Sequence, residues 1–199
     1  MVSAILLAAG SSRRMGKQNK LLLPWNDQPM IARVAEQIQG SKASEIIVVL
    51  GHEAEKVKAA LAPFDVQFSY NPKHQSGMTS SIQAGIKTCS PDSRGYLICL
   101  GDMPRLQTTD YDTIIEQVSG KKEILAPFYR GQKGNPVFFS RHFKGEILAH
   151  TEAEGCKKIV QANALLLRSI PFTNDHILHD IDKPEDYLPQ NGFNPFSND

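Results

Sequence analysis

Apolar residues run along the chain in two alternating rhythms. Short unbroken runs stand at 2–9, at Glu45–Leu50 (EIIVVL) and at Gly95–Leu100 (GYLICL). Runs of this kind, closed by glycine or small residues, read as strands buried on both faces of a parallel sheet. Between them the spacing changes. Ile31, Val34, Ala35 and Ile38 recur at i, i+3, i+4 and i+7 and predict an amphipathic helix that starts near Pro29 and stops at Gly40. Ala54, Val57 and Leu61 predict a second helix, broken by Pro63, and Met78, Ile82, Ile86 and Cys89 a third. A strand is expected at 66–70. Strand and helix alternating in this way is the sequence form of right-handed βαβ units.

The second half repeats the pattern less regularly. Tyr111, Ile114, Ile115 and Val118 make a helical face, 123–128 a strand, and the turn-rich stretch from Tyr129 to Pro136 leads into Val137-Phe138-Phe139. The last two strands are expected to form a hairpin at the edge of the sheet. A helix at 157–163 and a strand at 165–170 follow. Leu21 to Trp25 reads as a short extended piece before a turn at 26–29. One domain over 1–188 accounts for all of this, with 189–199 expected to be a loosely held tail.

Composition narrows the field mainly by exclusion. The 199 residues are 41% hydrophobic and 22% charged, and 22 basic against 21 acidic residues leave a net charge of +1. Nothing there calls for nucleic acid or a membrane as partner. Cys89, Cys99 and Cys156 are odd in number and far apart, so a disulfide framework or a zinc site of paired ligands is not indicated, and a reducing cytoplasm is the expected compartment. No run approaches the roughly 20 apolar residues of a membrane span. The first apolar run lacks the basic start of a secretion signal. The six histidines are scattered and are expected at the surface.

Any anion site must therefore be local, and the first strand ends in one. Val2 to Ala9 runs into Gly10-Ser11-Ser12-Arg13-Arg14-Met15-Gly16 and on to Lys20, with no acidic residue between Val2 and Asn26. Small residues, glycines and cations delivered by a buried strand suit a phosphate chain. Two common phosphate loops fail on counting. Five residues separate Gly10 from Gly16, and Lys17 is followed by Gln18, which is not a P-loop. Only Gly10 fits the three-glycine dinucleotide fingerprint.

The combination Leu7-Ala8-Ala9-Gly10-x-Ser12-x-Arg14-Met15-Gly16 with Lys20 resembles the signature of nucleotidyltransferases with the GT-A-like, Rossmann-related fold. Within them it is most similar to the molybdenum cofactor cytidylyltransferase (MocA-like) group. The resemblance extends to about Tyr187 and takes in Gly77-Met78-Thr79-Ser80-Ser81, Gly101-Asp102-Met103-Pro104, Gly134-Asn135-Pro136-Val137 and Asp180-Ile181-Asp182-x-Pro184-Glu185-Asp186. It implies a three-layer α/β/α fold around a mostly parallel twisted sheet. The implied reaction carries CMP from CTP to the phosphate of molybdopterin, with Mg²⁺ or Mn²⁺ as cofactor and pyrophosphate as product. A molybdenum hydroxylase would then receive the finished cofactor. A guanylyltransferase, a transferase using another phosphorylated acceptor, and a non-catalytic cofactor carrier remain as alternatives.

Carried over residue by residue, the resemblance assigns Leu7, Ala8, Ala9, Gly10, Ser12, Arg14, Gly16, Lys20 and Gly77 to the nucleotide, with Lys20, Arg14 and Asp102 catalytic. Lys17 competes with Lys20 for the part of the catalytic lysine. Asp102 and Asp182 are the implied metal ligands. Asp182 also reads as the cap of a helical turn at Pro184, and Asp180 is the neighbouring fallback, expected to face the other way. Gly77 opens a helix whose first amides could meet a ligand. Gly134 and Asn135 are placed on the acceptor side. Trp25 is expected to pack beneath the phosphate loop or to fill core.

Overall fold

The computed structural model describes residues 1–11 and 18–187; the tail expected at 189–199 lies outside them. Sixteen regular elements follow in order: β1 (Ser3–Ala8), β2 (Pro24–Trp25), β3 (Gln28–Pro29), α1 (Met30–Gln39), β4 (Glu45–Leu50), α2 (Ala54–Ala60), β5 (Gln67–Tyr70), α3 (Met78–Thr88), β6 (Gly95–Leu100), α4 (Thr108–Ile115), β7 (Ile124–Tyr129), β8 (Gln132–Lys133), β9 (Val137–Ser140), α5 (Lys144–Ala149), α6 (Lys157–Ala162) and β10 (Leu167–Pro171). The main sheet has the order β10-β7-β9-β6-β1-β4-β5, with β8 paired to β7. β6, β1, β4 and β5 are mutually parallel, as are β10 and β7, while β9 runs antiparallel to both of its neighbours. Among the described residues no helix is long and apolar enough to cross a membrane.

The two faces of the sheet build two cores, and strand alternation sorts the side chains between them. Ala4, Leu6 and Ala8 of β1 join Ile46, Val48 and Leu50 of β4 under α1, α2 and α4. Ile5 of β1 joins Ile47 and Val49 under α3, α5 and α6. The architecture is thus the expected three layers, α/β/α. A third, smaller cluster of Leu23, Trp25, Met30, Ile181 and Tyr187 stands apart from both.

Two expectations need correcting. The antiparallel pair β7 and β9 forms, in the register Ile124↔Phe139 and Leu125↔Phe138, but it is not at the edge. β10 returns to pair with β7 in parallel, so Leu167–Pro171 is the outer strand and Phe138 and Phe139 are buried on both sides of an interior one. The piece after Asn19 is not extended throughout, because Lys20–Leu22 is a 3₁₀ turn before β2. Asn19 Oδ1 accepts from the Leu21 amide at 3.1 Å and holds that turn.

α3 comes unusually near the sheet at Gly85. A Cβ there would stand 2.4 Å from Ile5 Cγ2 and 3.0 Å from Val49 Cγ2, in the middle of a filled core. Gly85→Ala gains roughly 1 kcal/mol of helix propensity but overpacks the contact, at a cost of about 1–3 kcal/mol. The expected net outcome is a lower midpoint in guanidinium denaturation; a midpoint at or above that of the wild type would show that the core yields.

Candidate active site

The chain order β1, β4, β5 builds outward on one side, and β6 then returns to the other side of β1. That reversal leaves a crevice at the carboxyl ends of β1 and β6, the place where open α/β sheets hold ligands. The crevice is a cleft of about 420 Å³ lined by Leu7 of β1, by Ala9 and Gly10 after it, by Gly101 and Asp102 after β6, and by Lys20, Gly77 and Asp182. Gly101 permits the two strand ends to close up: its amide donates to Leu7 O at 3.1 Å, and a Cβ on it would lie 2.8 Å from that same oxygen.

Asp102 follows β6 after Gly101 and is pinned there by its own carbonyl, which accepts from the Ile181 amide at 2.9 Å. That bond draws in the segment near the C-terminus. Ile181 is buried in the small third core, where Trp25 meets the Tyr187 ring edge-on at 6.2 Å and the Tyr187 hydroxyl donates to Pro24 O. With Ile181 pointing inward, Asp180 and Asp182 project together from the other side. Ligand oxygens of Asp102, Asp180 and Asp182 lie within 4.8 Å of one another. The expectation that Asp180 faces away from Asp182 is therefore overturned: residues two apart in extended chain share a side. The capping alternative for Asp182 also gives way. Lys183 stands at the N-cap, and Asp186 inside the turn accepts from the Asp182 and Lys183 amides at 3.1 and 2.8 Å.

Lys20 spans the cluster. Its Nζ donates to Asp102 Oδ2 at 2.6 Å and to Asp182 Oδ1 at 2.8 Å. Burial works against its charge, but the pull of Asp102 and Asp182 outweighs burial and lifts the ammonium above the ordinary lysine range. Burial pushes the Asp102 carboxyl above the ordinary aspartate range, with Lys20 pulling the other way and Asp180 adding to the rise. Among the described residues, three carboxylates here face one ammonium, and Asp102 Oδ1 is buried with no hydrogen-bond partner. An oxygen-rich, anionic cluster holding an unsatisfied carboxylate oxygen is suited to a hard divalent cation such as Mg²⁺ or Mn²⁺.

Gly77 lines the same cleft at φ +112°, and a Cβ on it would meet Ala153 O at 2.5 Å. The amide that follows it is already spent, since Met78 N donates to Ala153 O at 2.9 Å; the expected free donor at the α3 start is not available at that position. Ala8 turns its side chain into the core under α1. Ser12, Arg14 and Gly16, together with Lys17, lie outside the described residues. His74, half-buried, and the exposed Gln75 also line the cleft. His74 gets there because Gly51 at the end of β4 has no side chain: a Cβ would lie 2.7 Å from His74 Cβ and 2.8 Å from Ala9 Cβ.

A second cavity of about 380 Å³ adjoins the first, with Met78 and Leu100 lining both. Its walls include Ile82, Ile98, Val137 and Phe139, and Lys133, Asn135 and Lys157 bring polar groups to it. Burial drives the Cys156 thiol in this wall up to about 12, which keeps it protonated and unsuited to attack as a thiolate. Asn135 lines this cavity. Gly134 lines neither cavity; it is packed against Ile177, where a Cβ would meet the backbone oxygen at 2.4 Å.

Residues 4–167 match the family model of the MobA-like NTP transferase domain. Among solved structures, Rv0371c from Mycobacterium tuberculosis H37Rv is 26% identical with a TM-score of 0.83, over 94% of this chain and 95% of that one. The same mycobacterial protein has been solved in complex with manganese, with a TM-score of 0.77. A nucleotidyl transferase from Methanothermobacter thermautotroptrophicus (Mth528) shares the fold at a TM-score of 0.84 and 22% identity, over 94% of both chains. The bifunctional protein GlmU of Burkholderia mallei (strain SAVP1) is 32% identical over 108 residues, which is 54% of this chain and 23% of GlmU. The chain spans about a quarter of the length of the curated relatives it matches.

The third core makes a direct prediction. Tyr187→Ala should remove the edge contact on Trp25, the only tryptophan, shifting its fluorescence emission to the red. An aromatic-to-alanine change of this kind costs about 3 kcal/mol. An unshifted spectrum would show that Tyr187 does not clamp the segment carrying Asp182.

Proposed function

The chain belongs to the family of MobA-like NTP transferase domains, and from that premise we propose that it transfers a nucleotidyl group from a nucleoside triphosphate to a phosphorylated acceptor, releasing pyrophosphate. The observation that carries the reading is Lys20 held between Asp102 and Asp182 in the cleft at the ends of β1 and β6. A phosphate oxygen of the acceptor attacks the α-phosphorus. The bond to the α,β-bridging oxygen breaks, and its electron pair leaves with pyrophosphate. Such transfers need positioning and charge neutralisation more than covalent help from the protein. A divalent cation held by Asp102 and Asp182, with Asp180 beside them, would supply Lewis-acid neutralisation of the triphosphate.

The chain's own groups have distinct parts in this proposal. Lys20, only 13% exposed in its side chain, offers a cation shielded from bulk water to the charge that develops on the α-phosphate and the departing pyrophosphate. Leu7, Ala9 and Gly10 give the nucleotide a backbone edge to lie along, and Gly77 closes the far wall. Ser12, Arg14 and Gly16 complete the nucleotide loop by sequence resemblance. The acceptor lies in the second cavity, against Asn135, so that its phosphate reaches the donor past Met78 and Leu100.

For the finer identity, CTP is the proposed donor and molybdopterin the acceptor. Leu7-Ala8-Ala9-Gly10, where guanylyl relatives more usually have Leu-Ala-Gly-Gly, favours CTP by sequence resemblance. An apolar chamber of about 380 Å³ with polar groups in its lining suits a fused-ring acceptor bearing a phosphate. Purified protein given molybdopterin, Mg²⁺ and each nucleoside triphosphate in turn should release pyrophosphate fastest with CTP. Turnover with GTP alone would replace the cytidylyl reading by a guanylyl one. Absence of turnover with every triphosphate, alongside tight molybdopterin binding, would make the protein a carrier.

Asp102→Asn should retain the fold by circular dichroism and lower turnover by at least about 100-fold, the order lost when one preorganised electrostatic group is removed. Wild-type turnover in that variant would refute the site.

A further inference from the structure

The Lys20 ammonium stands 2.6 Å from Asp102 Oδ2 and 2.8 Å from Asp182 Oδ1. The two carboxylates it engages belong to the trio whose ligand oxygens converge within 4.8 Å. A divalent cation takes such oxygens at about 2.0–2.6 Å. One ammonium bonded to two of the three carboxylates thus contends with a metal ion for the same carboxylates and repels a second positive charge from the same spot. From this juxtaposition we infer that Lys20 is a built-in antagonist of metal binding in the nucleotide-free protein. It serves there as a surrogate cation, and it gives the carboxylates up when a triphosphate provides it with another anionic partner.

The local structure supports a side chain that swings on a fixed base. Lys20 opens a short 3₁₀ turn whose Leu21 is buried and whose Leu21 amide is held by Asn19. Asp102 is fixed by the Ile181 amide and Asp182 by the packing of Ile181 beneath it. The carboxylates stay in place while the ammonium leaves them. Metal and nucleotide are then coupled: whatever draws Lys20 away strengthens metal binding, and by reciprocity metal strengthens nucleotide binding to the same degree. This second half rests on the nucleotidyltransferase reading, whereas the contest between Lys20 and a cation does not.

The test is Mn²⁺ binding to the whole protein without nucleotide, followed by the paramagnetic resonance of free Mn²⁺, for wild type, Lys20→Met and Lys20→Gln. Both variants should bind Mn²⁺ at least about tenfold more tightly than wild type, within the usual range of site coupling. Adding Asp102→Asn to Lys20→Met should abolish the gain. Circular dichroism and melting curves establish folding, and Mn²⁺ should raise the melting temperature of each lysine variant by more than that of wild type. Equal or weaker Mn²⁺ binding by the folded variants would overturn the inference, as would a gain that survives Asp102→Asn. Pyrophosphate release by the wild type is read separately: its absence, with tighter Mn²⁺ binding in the variants, would remove the enzyme reading and leave the antagonism standing.

Discussion

A single backbone hydrogen bond, from the Ile181 amide to the Asp102 carbonyl, joins two parts of the chain that sequence keeps far apart. One end belongs to the loop after the central strand β6, and the other to the segment that follows the last strand. Because that bond is made between main-chain groups, it fixes the distance between the two backbones whatever their side chains do. The flanking aspartates are then committed to one point in space, and Lys20 only has to reach it. The small core of Leu23, Trp25, Met30, Ile181 and Tyr187 holds the arrangement from behind. That core lies outside the two that stabilise the sheet, so the geometry of the site has a support partly separate from that of the fold.

The sheet contributes in a different way. Parallel strands share the direction of their carboxyl ends, so β1, β4 and β6 all open towards the same crevice. The reversal of chain order around β1 prevents the crossing helices from covering it. On the other side the antiparallel β9 places Val137 and Phe139 as the wall of the second cavity.

Much of this was legible in the chain. The strands at Glu45–Leu50 and Gly95–Leu100 and the helix at Met78–Thr88 fall where periodicity put them, because uninterrupted apolar runs and a strong helical stripe leave one way to bury each face. α5 escaped, since Ile147 is its one buried residue and no apolar spacing marks a helical face. The turn at Lys20–Leu22 escaped too, because it depends on the Asn19 side chain rather than on its own pattern. In the site, Asp102 and Asp182 were legible as carboxylates at the ends of recognisable segments. Asp180 was in principle legible, because the buried Ile181 between two aspartates already implies that both face the same way. His74 was not: its place in the cleft is due to the bare backbone of Gly51, a contact between segments that no local spacing announces.

Met78 carries a consequence of a different order. It is 44% exposed, a large apolar side chain left in the open where the two cavities meet. Among the described residues the chambers have only Met78 and Leu100 in common, so the lining of one can be rewritten by mutation without touching the groups of the other. A thioether that adapts its shape easily is a forgiving party wall. Such a layout lets the shape and polarity of one chamber drift while the other keeps its own.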